Sequence, residues 1–146
     1  MALTRVISET VIVDRVGPLM SAAGMAVTVV GTNADLNDPL AWAARKVGAT
    51  TANFNTVTDA ELAAISDADG DDFLDLAEYR TLGSIMGNLD DVDITAGPRS
   101  ESLSQLAEQA RKRMEALEAH LSSIVSPFVA GYITLDFAEH SETRID

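Results

Sequence analysis

The densest run of chemistry-bearing side chains is Asp67-Ala68-Asp69-Gly70-Asp71-Asp72-Phe73-Leu74-Asp75-Leu76-Ala77-Glu78. Counted as a twelve-position loop, it sets carboxylates at positions 1, 3, 5, 9 and 12 and an apolar residue, Leu74, at position 8. Hard oxygen donors at this spacing suit a divalent cation such as calcium, which is held by several carboxylate and carbonyl oxygens in a flexible cage. Position 6 of such a loop needs a sharp turn that glycine supplies, and here it is Asp72, which reaches positive φ only at a cost. The same acids have a second use. Asp67 can start a helix whose first turns carry the following carboxylates, where negative charge is favoured by the helix dipole.

The run resembles a calcium-binding EF-hand loop, and that resemblance implies Asp67, Asp69, Asp71 and Glu78 as metal ligands. It departs from the pattern at Asp72, and no second loop accompanies it, although EF-hands commonly occur in pairs. The helix reading of Asp71 to Glu78 is therefore adopted, with no metal or cofactor expected. A calcium-binding, EF-hand-like helical interaction module is the alternative. The two histidines, His120 and His140, fall on different elements without a second ligand at a metal spacing. His120 reads as a polar-face helix residue. No GxSxG, Walker A or GxGxxG sequence is present, and Asp90 and Asp91 read as exposed, so neither a nucleophile nor a carboxylate of raised pKa is indicated. The chain is not expected to be an enzyme. Arg111, Lys112 and Arg113 are interleaved with Glu108 and Glu115, which favours i,i+4 ion pairs or an acidic partner over phosphate binding.

The elements that must carry these residues are helical. The 146 residues suit one domain, and 47% hydrophobic content supports a core. With only 5% aromatic residues the core must be mostly Ala, Leu, Val and Ile, which fits close-packed helices. No cysteine is present, excluding disulfides, thiolate nucleophiles and Cys-based metal sites and fitting intracellular assembly. The N-terminus lacks the apolar region of a signal peptide, and no segment is apolar enough to span a bilayer, so the protein is expected to be soluble. Net charge is −13, and eleven acidic residues lie between Asp59 and Asp93 against one basic residue, Arg80. Such a surface repels nucleic acid and anionic membranes.

Along the chain, apolar spacing predicts a helix from Leu3 to Met25, kinked or divided at Gly17-Pro18. Ala26 to Val30 reads as a short strand or a buried extended stretch. A short helix carrying Trp42 follows, capped by Asp38, with Pro39 in its first turn and Gly48 as its stop. Trp42 reads as a core or interface anchor. Ala49 to Val57 reads as a loop, Thr58 or Asp59 as a cap, and Asp71 to Leu89 as a helix. The strongest pattern is the seam Leu103, Ala107, Ala110, Met114, Leu117, Leu121 and Ile124, whose alternating steps of four and three place it on one face of a long helix over about 100–125. Packing into one bundle is its expected use; a regulatory dimer built on the seam is a further option. After Pro127, Ile133, Leu135 and Phe137 alternate with Tyr132, Thr134 and Asp136, which is strand patterning. A lone strand in a helical chain needs an edge, so Tyr132, Ile133, Leu135 and Phe137 are the candidate assembly residues, and the polar tail from Ala138 is expected to order on binding. The expected fold is mainly α: a small bundle over 1–127 with one long C-terminal helix, followed by an extended arm over 128–146.

The opening LTRVISETVIVDRVGPLMSAAG, the middle LAEYRTLGSIMGNLDDVDITAGPRSESLSQLAEQARKRMEAL and the apolar C-terminal arm resemble the head–tail adaptor, or head-completion, proteins of tailed bacteriophages. The resemblance spans most of the chain and lies in helix order and sequence character, not in catalytic residues. It implies a structural virion protein of the phage neck, assembled in the host cytoplasm. There it would form a homo-oligomeric ring that binds the portal protein on one side and a stopper or tail protein on the other. DNA would pass through an acidic channel without specific binding, and Asp59 to Asp93 is the candidate lumen. Terminal arms of such proteins embrace neighbours or dock into the portal.

Overall fold

The computed structural model describes residues 2–96 and 100–124, and the side chains within 2–89 and 104–122. Among the described residues five α-helices make up the framework: α1 (Arg5–Ala22), α2 (Asn37–Lys46), α3 (Asp59–Ala63), α4 (Asp67–Ala96) and α5 (Ser100–Ile124), with a short 3₁₀ turn, Ala34–Leu36, leading into α2. The protein is a mainly helical small bundle, and no strand occurs among the described residues.

Thr4 starts α1, its hydroxyl accepting from the Ile7 amide at 3.2 Å. Ile12, Val16 and Met20 recur at helical spacing on its buried face, together with the polar Arg5, Ser8 and Glu9. Gly17-Pro18 does not divide the helix. Proline at position 18 removes the bond to the Asp14 carbonyl, and Asp14 lies on the exposed side of the helix, where a free carbonyl costs little. The end of α1 is set four residues later. Gly24 has φ +76°, its amide donates to the Ser21 carbonyl at 3.1 Å, and the Met25 amide reaches back to Met20 at 2.9 Å. Gly48, at φ +92°, ends α2 in the same way.

Asp38 is not the cap of α2. The helix has already begun at Asn37, and the capping side chain lies further upstream: Asn33 accepts from the Asp35 amide and starts the 3₁₀ turn. Asp38 instead sits in the first turn and pairs with Arg80 of α4 at 3.0 Å. α3 opens with a reciprocal capping box, Thr58 accepting from the Glu61 amide and Glu61 accepting from the Thr58 amide. α4 begins at Asp67, ahead of the Asp71 start read from the apolar spacing. The reason is local: Ser66 accepts from the Asp69 amide at 3.3 Å, and Asp67 and Asp69 fill the first turn.

α4 is the central element, packing against α1, α2 and α5. Phe73, Leu76, Leu82 and Ile85 on it are fully buried. α5 lays Ala110 and Leu121 into the core, flanked by the half-buried Leu106, Ala107, Met114 and Leu117, so the seam faces α4 within the monomer. The core also takes Leu36, Leu40, Ala41, Ala43 and Ala44 from the α2 region and Leu62 from α3.

Candidate assembly surface

Arg5 and Glu9 lie one turn apart at the start of α1, and both are buried, Glu9 completely. Oε2 of Glu9 accepts from Arg5 Nε at 3.2 Å and Nη2 at 2.8 Å and from the Asn33 amide at 3.1 Å. Its Oε1 accepts from the Gly31 amide at 2.7 Å. Arg5 spends its remaining donors on Asn37 Oδ1 and the Asn33 carbonyl, while its own amide donates to Asp59 at 2.7 Å. A buried ion pair is tolerable only when its remaining hydrogen-bonding capacity is met, and here it is met by the backbone of the segment after α1.

That segment is thereby pinned in an uncommon form. The Asn33 side-chain amide donates to the carbonyls of both Ala26 and Thr28, at 2.8 and 3.0 Å, and Asp35 accepts from the Ala26 amide. The carbonyls of Ala26 and Thr28 thus converge on one nitrogen, and among the described residues nothing bonds to the amides or carbonyls of Val27 and Val29. The stretch is neither a strand nor buried. Its backbone is held by polar side chains rather than by a ladder, which leaves Val27, Val29 and Val30 exposed by 42%, 37% and 70%. Val6, also exposed, lies beside Gly31, where an added Cβ would stand 3.2 Å from its Cγ2. These four valines set exposed apolar side chains along the segment after α1 and the start of α1 on a strongly acidic protein.

A second charged group joins α1, α4 and α5. Arg113 grips Glu78 with two bonds of 3.1 and 3.2 Å. Arg15 bonds Asp75 at 2.9 Å and approaches Glu78 at 3.6 Å, and His120 meets the other oxygen of Asp75 at 3.3 Å. His120 thus sits on the outer face of α5 and reaches α4. Arg111 pairs along its own helix with Glu108 and Glu115, and its hydrogen bond to Glu108 holds that carboxyl below the usual range.

The four residues of the possible cation loop are not brought together. Asp67 and Glu78 are eleven positions apart on one continuous helix, about 16 Å along its axis, whereas calcium ligands lie about 2.3–2.6 Å from the ion. Asp69 is engaged by the Ser66 hydroxyl, and Glu78 is turned inward to Arg113 and Arg15. Among the described residues no group of three or more His, Cys, Asp or Glu is arranged to hold a metal ion, and no helix is long and apolar enough to cross a membrane. Trp42 is half-buried against the core, with Arg80 and Lys46 over its ring at 5.3 and 5.7 Å.

Sequence reasoning missed the Arg5–Glu9 pair. An i,i+4 pair of opposite charge was the available signal, but that pattern is also the commonest form of an exposed surface ion pair. Tyr132, Ile133, Leu135 and Phe137 lie outside the described residues, as does the whole arm over 128–146. No protein-family model, curated protein or solved structure matches the chain.

Proposed function

We propose that the protein is a structural assembly component, a head–tail adaptor that forms a homo-oligomeric ring between the portal and the tail in the neck of a tailed phage. In this reading the helical part through residue 127 is the body, α5 runs on to about residue 125, and residues 128–146 form the arm that joins neighbours or the portal. The observation that carries it is the exposure of these valines. Val27, Val29 and Val30 are exposed on a segment that a buried ion pair fixes in place, with Val6 exposed on α1 beside Gly31, and exposed apolar side chains on a protein of net charge −13 are the mark of a surface that meets another protein. The exposed acids Asp59, Asp67 and Asp71 at the α3–α4 corner supply a surface past which DNA slides by repulsion.

The reading is tested by native mass measurement of the purified full chain, alone and mixed with portal protein. A closed oligomer, or a complex of defined stoichiometry with the portal, is expected. A chain that stays monomeric at every concentration and does not join portal-bearing heads overturns it.

A further inference from the structure

We infer that the outer face of α2, with Phe54 and Arg80 beside it, is a docking surface for a short acidic segment of another protein, whose carboxylates meet Arg45, Lys46 and Arg80 and whose apolar side chain rests on Phe54 and Trp42. The surface shares no residue with the valines around Gly31, and the inference stands apart from the ring reading.

The helix sets the first part of it. Arg45 and Lys46 follow Trp42 by three and four positions and so share one side of α2 with it. Trp42 is half-buried against the core, with the Lys46 ammonium 5.7 Å and the Arg80 guanidinium 5.3 Å from its ring centre. Arg45 reaches from the same side to the loop after α2, donating to the Phe54 carbonyl at 2.8 Å and standing 5.1 Å from the centre of the Phe54 ring. Two aromatic rings and three cations are thereby linked into one patch.

Phe54 shows that the patch is built to be covered. It is 76% exposed, the most of any large apolar side chain among the described residues, yet the loop around it is tied down on both sides. Arg45 holds its carbonyl, Asn53 Oδ1 accepts from the Asn55 amide at 2.9 Å, and Glu61 accepts from the Ala52 amide at 2.6 Å. A ring already held in place needs little further ordering when a partner covers it, and aromatic and arginine side chains are the usual anchors of protein interfaces.

The charges say what kind of partner fits. Of the described arginines, Arg45 alone bonds no carboxylate; Arg5, Arg15, Arg80, Arg111 and Arg113 each pair with at least one. The last turn of a helix favours cations through its dipole, which accounts for Arg45 and Lys46 being there but not for the exposed ring that Arg45 supports. The patch sets three cations against one carboxylate, Asp38, on a chain of net charge −13. Glu61, the other acid on the loop, has both oxygens taken by the Ala52 and Thr58 amides. An incoming carboxylate therefore finds in Arg45 a guanidinium that no acid of the described residues holds. Nucleic acid fits the place less well, because Asp35 and Asp38 precede Trp42 and Asp59 and Glu61 follow Phe54, so a run of phosphates longer than the patch meets acids of its own sign. A short segment stays on the cations.

The test uses the full chain. A library of random peptides displayed on yeast is selected for binding to the labelled protein in the presence of excess unlabelled Arg45→Ala/Phe54→Ala chain, so that only peptides needing the patch survive. Lys46→Glu serves as the competitor if the double variant melts below the parent. Survivors rich in Asp and Glu, with an aromatic or aliphatic residue among them, are expected. Their fluorescein-labelled synthetic forms should lose affinity by about tenfold or more in Phe54→Ala and in Lys46→Glu, and by less than about twofold in Lys112→Glu, the same charge change at an exposed position of α5. Survivors that are not acidic, or no survivors at all, overturn the proposal. An equal loss in Lys112→Glu overturns it as well, since net charge alone then explains the binding. A single-stranded oligothymidylate that displaces the peptide more effectively than unlabelled peptide does overturns it in favour of a nucleic-acid site. A dimer in sedimentation velocity that Phe54→Ala abolishes overturns it in favour of a contact between copies of this chain.

Discussion

Replacing Glu9 by Gln keeps the shape of the side chain and removes its charge, and the structure sets what that should cost. The carboxylate receives four hydrogen bonds, two from Arg5 and one each from the Gly31 and Asn33 amides, at a position with no solvent access. An amide has one acceptor oxygen, so at least one of these donors faces an NH2 group, and Arg5 is left as a buried charge without its counter-ion. Breaking a buried pair from one side costs about 3–5 kcal/mol. A domain of this size is stable by about 5–15 kcal/mol, so the variant should be folded but weak. With a urea dependence of about 2 kcal/mol per molar, the midpoint should fall by about 1.5–2.5 M. The double variant Arg5→Met/Glu9→Leu removes both charges and should lose less than the sum of the single changes, because no ion is then stranded. Amide exchange at Gly31 and Asn33 should accelerate in Glu9→Gln while that at α4 core positions tracks global stability. A midpoint within about 0.3 M of the parent, or a double variant that loses the full sum, would refute the claim that the pair is buried and coupled.

Leu121→Ala should cost about 2–5 kcal/mol in the same urea experiment, since Leu121 is 2% exposed, and Leu117→Ala, half-buried, should cost less. Glu61 is held below its ordinary value of 4.5 by the amides of Thr58 and Ala52, so its charged form is favoured in the folded state. Its contribution is therefore complete above about pH 4.5 and lost as pH falls through the lowered value, and the difference in melting temperature between parent and Glu61→Gln should shrink over that acidic window. Micromolar calcium should leave the melting temperature unchanged, in the parent and in Glu78→Gln alike. A chain ended before Phe128 should keep its helical circular dichroism and cooperative melting and fail to assemble.

The helices were legible wherever one element carried its own signal. The alternating steps from Leu103 to Ile124 define one face of one helix, Gly48 marks a stop through its own φ, and Thr58 with Glu61 closes a box within four residues. What stayed hidden depends on contacts across the chain. Glu78 occupies the last position of a cation-loop spacing, yet its partner Arg113 lies 35 residues away on another helix. Arg5 and Glu9 are buried only because Gly31 and Asn33 fold over them. The valines after Met25 have strand composition, but side chains of Asn33 and Asp35 claim the backbone bonds that a ladder would have used, and the apolar side chains are left outside.

These hidden contacts divide the acidity of the chain into two kinds of charge. Asp71 is exposed and acts through the field it creates at the surface, whereas Asp67 also lies in the first turn of α4. Glu9 and Glu78 are buried and satisfied, Glu9 by Arg5 and the segment after α1, Glu78 by Arg113 of α5. The consequence reaches the segment after α1. Since Glu9 holds the Gly31 and Asn33 amides, and Asn33 in turn holds the carbonyls of Ala26 and Thr28, the placement of Val27 and Val29 depends on a buried carboxylate. Loss of Glu9 should then loosen that segment more than loss of an exposed acid such as Asp71, and amide exchange at Gly31 and Asn33 reads the difference.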